Sequence, residues 1–446
     1  MSSTLTSRPT AHPDTTQDTS QDTSQDTSQG AGQDATPATG ATGRTPSQDP
    51  VAATASPSSP VYPLGWLRAL AALSVVTFHA YQNNRSGPDS AWPFSGIGHQ
   101  LMGGTDLFVD MFFVLSGLVL WLPIARAAER GVASRSGRTL LYRRMARLLP
   151  LYVVLVLLVW SLTNPTFPGH WVDLVTHLTF THIYSDQYIF WTNGPAWSLA
   201  VEFHFYVLVA LSVPLVNAGV RRATTRRGRL AVASALPAAL VVVSPVYLAW
   251  AMLAGVPHTD WSTWFSPLSR ATDFGLGMGL ALLAVAGVRL GGAARGALLA
   301  LGLGALLALV ITRPLSVAGE WWHPLYALAI CVALSSIVLH DGPYPSWLSW
   351  RPLAWLGGLG YGIYLIHEPV MRFLGSLGLF PDPAPGWRFL VTAVLVAVPS
   401  VALAWVSSRT VEAAGQRMLG LMERDGSPRD FYAHLEEPAT AGSRRA

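Results

Sequence analysis

Two ionisable side chains lie inside an apolar stretch, LGWLRALAALSVVTFHAY, at residues 64–81. They are Arg68 and His79. A helix rises about 1.5 Å per residue, so the eleven-residue step between them spans roughly 16 Å, about half of a bilayer's hydrocarbon core. An imidazole suits removal of a hydroxyl proton at neutral pH, because its unperturbed pKa is about 6.5. We therefore predict that His79 is a general base; the structural alternative is an interior histidine bonded to neighbouring backbone or hydroxyl groups.

The composition excludes an ordinary soluble domain. Of the 446 residues, 50% are hydrophobic and only 12% are charged, and the mean hydropathy is +0.35. This balance predicts an all-α, polytopic integral membrane protein. All 29 basic residues are arginine and the net charge is only +4, so nucleic acid is not an expected partner. Cys331 is the only cysteine, which excludes an intrachain disulfide and a multi-cysteine metal site.

The chain divides by composition into three parts. Residues 1–60 are polar and carry a TSQD repeat, which predicts a disordered tail. Residues 61–410 form the predicted transmembrane domain, and residues 411–446 a cytoplasmic C-terminal tail. About ten apolar runs are long enough to be spans: 64–82, 106–125, 148–163, 196–217, 230–253, 267–288, 296–313, 323–339, 353–374 and 387–408.

Arginine placement predicts the orientation of these spans. Loops 126–147, 218–229, 289–295 and 340–352 hold most of the arginines of the membrane region. The segments on the other side hold only Arg85, Arg313, Arg372 and Arg388. By the positive-inside rule, both termini are predicted to be cytoplasmic.

This orientation assigns a depth to each buried charge. Arg68 falls near the cytoplasmic face, and His79 falls in the outer half of the membrane. Charged groups at such depths are costly unless they have partners, so several in one layer indicate a site. Six ionisable side chains from five spans are predicted to meet in the outer half: His79, Asp110, Glu202, Arg270, Asp273 and His367.

Arg144 and Arg147 stand at the predicted start of the third span. Three residues apart on a helix, they share a face and can grip phosphate oxygens together. The alternative interpretation, which requires no ligand, is a positive-inside cluster; it explains the arginines from Arg126 to Arg138 well. It explains the close RR-x-x-R spacing at the membrane edge less well.

Six short motifs follow one another along residues 62–408. They are Arg68 and His79 with ten residues between them, VDMFFVLSG at 109–117, RRMARLLPLY at 143–152, WSLAVEFHFY at 197–206, RATDFGLG at 270–277 and LGGLGYGIYLIH at 356–367. In this order they resemble the acyltransferase 3 family of membrane O-acyltransferases, of the stand-alone type without a fused esterase-like domain. The chain departs from the family pattern at Phe108, at Gly360, and at Gly65 and Trp66, where Asp-Gly is usual.

The resemblance implies transfer of an acyl group, commonly acetyl, from acyl-coenzyme A to a sugar hydroxyl. His79 is then the base, Glu202 and Asp110 hold its imidazole or pair with Arg270, and no metal is required. The coenzyme phosphates bind Arg144 and Arg147, with Arg68 along the route of the pantetheine arm. For the acceptor, His367, Arg270 and Tyr364 are the candidate contacts, although His367 is equally well explained as structural.

Several alternatives stay open at this stage. The acceptor is either a cell-surface polysaccharide or peptidoglycan sugar, or a glycosylated small molecule such as a macrolide. The expected setting is the bacterial plasma membrane, with lipid as a further partner. His170, His177 and His182 share a loop with Asp173 and Asp186, but their spacing does not match a compact metal site. A transporter that uses the buried charges as a proton or substrate pathway is the competing class.

Overall fold

The computed structural model describes residues 63–166, 168–314, 321–342, 344, 348 and 350–422. The predicted disordered tail at 1–60 and residues 423–446 lie outside this part of the chain. The described residues form fifteen α-helices: α1 Gly65–Asn83, α2 Gly96–Gly103, α3 Phe108–Arg130, α4 Gly137–Thr163, α5 Trp171–Leu178, α6 Ala196–Arg222, α7 Arg226–Leu253, α8 Trp261–Trp264, α9 Ala271–Ala286, α10 Gly292–Thr312, α11 Trp322–Val338, α12 Arg351–Gly358, α13 Gly360–Ser376, α14 Phe389–Arg409 and α15 Val411–Met422.

Every predicted apolar run coincides with helix, and the ninth run covers both α12 and α13. Within the described residues, six segments are long and apolar enough to cross a membrane: Gly96–Arg130, Gly137–Thr163, Ala196–Arg222, Arg226–Leu253, Gly292–Thr312 and Phe389–Gly420. Two shorter apolar helices are Ala271–Ala286 and Trp322–Val338. The all-α polytopic class is confirmed, whereas the count of ten spans and the cytoplasmic termini stay predictions.

Helix also extends beyond the predicted spans at two places. The third run was placed at 148–163, but α4 begins at Gly137, where the Ser136 hydroxyl oxygen accepts a hydrogen bond from the Thr139 amide at 3.2 Å. Such an N-cap satisfies one of the free amides at a helix start. Arginine is also a good helix former, so an arginine-rich segment need not be a loop. Likewise, the predicted C-terminal tail begins with α15, which packs against α4.

A proline inside α13 is compensated by a side chain from another element. Pro369 has no amide hydrogen for the carbonyl of Leu365, one turn earlier. The side-chain amide of Asn193 donates to this carbonyl oxygen at 3.0 Å. A carbonyl freed in this way inside a membrane bundle needs another donor, and here a side-chain amide supplies it. Asn193 thus fixes the segment before α6 against the middle of α13.

The two prolines inside α7 are compensated in the same way. Pro237 frees the carbonyl of Ala233, which accepts from the Trp121 indole at 3.1 Å. Pro245 frees the carbonyl of Val241, which accepts from the Thr272 hydroxyl at 3.0 Å. These bonds attach α7 to α3 and to α9 respectively, and so hold the three helices in register.

Glycines allow α9 to approach its neighbours closely. A Cβ on Gly277 would overlap the carbonyl of Val114 in α3, and one on Gly275 would lie 2.8 Å from the carbonyl of Pro237 in α7. By contrast, a Cβ on Gly279 would meet nothing within 4 Å among the described residues. Small residues at helix contacts are typical of membrane bundles. Gly275 and Gly277 therefore serve packing.

Candidate active site

A cleft that is partly open to the outside lies between α1, α3, α4, α6, α12 and α13. We call it the arginine pocket, because it brings together Arg68, Arg144 and Arg147. The remaining polar lining consists of Ser116, Ser198, Glu202, Tyr206, Tyr361 and Tyr364.

Glu202 belongs to the arginine pocket. The hydroxyl groups of Ser116 and Tyr206 both donate hydrogen bonds to its Oε1. The guanidinium of Arg144 lies over the Tyr206 ring, 5.2 Å from its centroid. The structure thus places Glu202 with the arginines, and its membership of one layer with His79, Asp110, Arg270, Asp273 and His367 stays a prediction.

Two helices bring Glu202 and the arginines together. α4 begins at Gly137, eleven residues or roughly 16 Å of helix before the predicted apolar run. Arg144 and Arg147 consequently lie two to three turns inside α4. They share the pocket with Glu202, which lies in the second turn of α6.

His79 and His367 form a pair at the other end of α1. Their ring centroids are 5.1 Å apart, with an interplanar angle of 42°. His79 is half-buried, whereas His367 is completely buried. The Nδ1 atom of His367 lies 2.6 Å from the carbonyl oxygen of Tyr364. The predicted proximity of these two histidines is thus present in the structure, but His367 is not exposed to an acceptor.

The segment before α6 anchors the turn of α13 that carries His367. Glu368 forms an ion pair with Arg372, whose guanidinium also donates to the carbonyl oxygens of Trp191 at 3.0 Å and Thr192 at 3.2 Å. Together with the bond from Asn193 to Leu365, these contacts fix the helix on both sides of His367.

Asp110 has a different histidine partner from the predicted one. The Nδ1 atom of His323, in the first turn of α11, lies 2.9 Å from its Oδ2. Asp110 is 1% exposed, and Asp273 of α9 is its neighbour. Nearby, Arg313 forms an ion pair with Asp106 at 3.3 Å. We call this group the aspartate cluster, and it links α3 to α9, α10 and α11. Its members are Asp106, Asp110, Asp273, Arg313 and His323.

Arg270 lies beside Asp273 and is only 1% exposed. Its guanidinium is 5.8 Å from the ring centroid of Trp197 and 5.5 Å from that of Phe265. A guanidinium over aromatic faces is stabilised by their negative electrostatic potential. Arg270 is predicted as a substrate contact, and the structure places it in this buried aromatic environment. Tyr364, the other predicted contact, does line the arginine pocket.

Two of the three loop histidines, His177 and His182, form a buried cluster with Asp173. His177 and His182 stack with ring centroids 4.0 Å apart, and Asp173 lies 3.0 Å from His177 Nδ1. All three side chains are completely buried. Burial, followed by the neighbouring His177, lowers the pKa of His182 well below its usual value. In the described part of the chain, no group of three or more His, Cys, Asp and Glu side chains is arranged to hold a metal ion.

Four residues contact the candidate site residues or their helices but were not assigned a role from the sequence: Ser116, His323, Glu368 and Arg372. Ser116 lies within the quoted VLSG motif, and Glu368 and Arg372 have the i, i+4 spacing of a helical ion pair. Either pattern can be found from the sequence. His323, in contrast, reaches Asp110 across 213 residues, so its partner depends on the packing of α11 against α3.

The fold and the buried polar groups define a polytopic α-helical membrane protein. The family model described as "Acyltransferase domain", of the acyltransferase 3 type, matches residues 61–409, and the chain belongs to this family. A protein of Bacillus subtilis (strain 168), named "Putative peptidoglycan O-acetyltransferase YrhL", is 28% identical over 362 residues. The match covers 74% of this chain and 52% of that relative, so the chain spans about half of its length. No solved structure gives a significant match.

Proposed function

We propose that this chain transfers an acyl group, acetyl in particular, from acyl-coenzyme A to a hydroxyl of a carbohydrate. The observation that carries this proposal is the arginine pocket, in which Arg68, Arg144 and Arg147 line one cleft. Family membership supports acyl transfer. The name of the Bacillus relative supports acetyl as the group and peptidoglycan as the acceptor. A glycosylated small molecule is the alternative acceptor, and the bacterial plasma membrane is the proposed location.

The pocket suits the phosphate groups of coenzyme A. Guanidinium groups bind phosphate oxygens through paired, charge-assisted hydrogen bonds. Arg144 and Arg147 project from one face of α4, and Arg68 faces them from α1. By the arginine distribution, this end of α1 is the cytoplasmic one, where acyl-coenzyme A is made.

Side chains connect the pocket with His79. Tyr364 lines the pocket, and its ring centroid is 6.0 Å from that of His367. The His367 ring in turn lies 5.1 Å from His79. Along α1 the step from Arg68 to His79 is roughly 16 Å, a distance that an extended pantetheine arm can bridge. The thioester would reach His79 while the phosphates stay bound to the arginines.

In the proposed reaction, His79 removes the proton of the acceptor hydroxyl. The acceptor oxygen attacks the carbonyl carbon of the thioester, a C–O bond forms and the C–S bond breaks. The coenzyme leaves as a thiolate and takes the proton from the imidazolium of His79. The products are the sugar ester and free coenzyme A, and His79 is returned to its neutral form.

The test is acetyl transfer in membranes that contain the full chain, supplied with radiolabelled acetyl-coenzyme A and peptidoglycan. The wild type, His79→Ala and Arg144→Ala/Arg147→Ala are compared with the control Arg143→Ala, since Arg143 carries the same charge but does not line the pocket. Each charge-assisted bond contributes about 1.5–3 kcal/mol, so the double variant should raise KM for acetyl-coenzyme A about 100-fold or more.

We expect label in the peptidoglycan fraction for the wild type and for Arg143→Ala, and none for His79→Ala. Equal labelling by all variants would refute the site. Failure of the wild type to use acetyl-coenzyme A, together with movement of an unmodified solute across the membrane, would favour the transporter instead.

A further inference from the structure

A buried nitrogen of His367 lacks a hydrogen-bond partner in the described part of the chain. This atom is Nε2, and the residue as a whole is 0% exposed. A buried polar atom left without a partner costs about 1–3 kcal/mol, so it calls for an explanation. The side chains around the ring are therefore the candidates for its partner.

The other nitrogen of His367 determines the tautomer of the ring. Its Nδ1 lies 2.6 Å from the carbonyl oxygen of Tyr364, and a carbonyl only accepts hydrogen bonds. Nδ1 therefore carries the proton. In a neutral imidazole, Nε2 is then an acceptor with a free lone pair.

The nearest ring to His367 is that of His79, at a centroid distance of 5.1 Å. A centroid distance of this size is compatible with an N–H···N hydrogen bond of ordinary length between two imidazole rings. The side chain of Gln82 also hydrogen-bonds to His79, and Glu368 and Arg372 act on His79 through their charges. Glu368 and Arg372 are already paired with each other, and Gln82 is half-exposed.

We propose that His367 is a positioning residue for His79. The Nε2 atom of His367 accepts a hydrogen bond from one ring nitrogen of His79, and the other ring nitrogen of His79 is left to act as the base. This inference rests on the proposed catalytic role of His79. It gives the completely buried His367 ring a role through His79, whereas its predicted contact with the acceptor stays untested. A fixed partner on one nitrogen selects the tautomer and orientation of the other, as the acid of a catalytic triad does for its histidine.

The surrounding scaffold is built to keep His367 in place. Asn193 bonds the carbonyl of Leu365 on one side of it, and the Glu368–Arg372 pair bonds the carbonyls of Trp191 and Thr192 on the other. Because these contacts leave the backbone of α13 little freedom, the position of Nε2 is defined before substrate binds.

Two variants test the proposal. His367→Leu removes both ring nitrogens, whereas His367→Gln keeps an oxygen that can accept a hydrogen bond. His170→Gln serves as the control, because His170 is exposed in the loop before α5. Acetyl transfer from radiolabelled acetyl-coenzyme A to peptidoglycan is measured for each.

We expect His367→Leu to lower kcat about tenfold or more, a part of the roughly 10²–10⁴-fold that a positioned general base contributes. KM for acetyl-coenzyme A should stay within about twofold, since the arginine pocket is unchanged, and His367→Gln should recover part of the loss. Wild-type kcat in His367→Leu, or equal losses in the two variants, would overturn the proposal.

A second measurement does not depend on the reaction. Solid-state NMR of ¹⁵N-histidine-labelled protein in lipid, with the His79 signals identified by difference from His79→Gln, reports the tautomer of His79. One tautomer is expected in the wild type and a mixture in His367→Leu. The same tautomer population in both proteins would refute the hydrogen bond, even if acetyl-coenzyme A proved to be the wrong donor.

Discussion

The side-chain amide of Asn193 lies 3.0 Å from the carbonyl oxygen of Leu365, the carbonyl that Pro369 deprives of its helical partner. One residue of an irregular segment thus completes a helix in a distant part of the chain. His367 lies between Leu365 and Pro369, so this bond holds the turn of α13 on which the histidine pair depends.

Replacing Asn193 by alanine should destabilise the protein by about 1–3 kcal/mol, because the carbonyl of Leu365 is left buried without a donor. The apparent Tm in detergent reports the loss. In the background of Pro369→Ala the backbone amide at 369 becomes available, so Asn193→Ala should cost less there. Equal costs in both backgrounds would show that the bond to Leu365 is not what Asn193 contributes.

Substitution by alanine should have different effects on stability at two glycines of α9. Gly277→Ala places a methyl group against the carbonyl of Val114 and forces α3 and α9 apart, at about 1–3 kcal/mol. Gly279→Ala places the same methyl group where it meets nothing within 4 Å of the described residues. Its apparent Tm should be unchanged or higher, since alanine is the better helix former. Similar losses for both variants would contradict the close contact at Gly277.

The buried His182 should make the protein sensitive to acid. Its pKa is lowered in the folded state by burial and by His177, whereas in the unfolded chain it is about 6.5. Below about pH 6.5 the unfolded chain binds the extra proton and the folded protein does not. The free energy of unfolding should therefore fall as the pH decreases from this value.

This dependence is measured as the difference in apparent Tm between pH 7.5 and pH 5. His182→Phe keeps an aromatic ring for stacking but cannot bind the proton, so the difference should shrink. His170→Phe, at an exposed position, should leave the difference in apparent Tm as in the wild type. A difference that persists unaltered in His182→Phe would assign the acid sensitivity to other groups.

Periodicity and hydropathy predicted the helices well, because a membrane span must satisfy its backbone internally and be apolar over a known length. They also predicted that His79 and His367 lie in the same layer, since both are on helices predicted to run outward and at similar depths. The start of α4 was not predicted, because it depends on a Ser136 cap and an arginine-rich helix rather than on hydropathy. The pairing of Asp110 with His323 depends on how α3 and α11 pack, which no local pattern encodes.

Glu202 provides the sharpest test of how the polar groups divide between the arginine pocket and the histidine pair. In Glu202→Gln the amide oxygen can still accept from Ser116 and Tyr206, so the fold should persist. The negative charge beside Arg68, Arg144 and Arg147 is lost, however, and coenzyme phosphates should bind more tightly. For a gain of about 1 kcal/mol, KM for acetyl-coenzyme A should fall about fivefold.

Steady-state kinetics with acetyl-coenzyme A varied at saturating acceptor separates the two roles of Glu202. A residue of the arginine pocket changes KM and leaves kcat within a few fold. If Glu202 instead supported the imidazolium of His79, kcat would fall about 100-fold or more at unchanged KM. The structure predicts the first outcome, because Glu202 shares its cleft with the arginines and receives its hydrogen bonds from α3 and from its own helix.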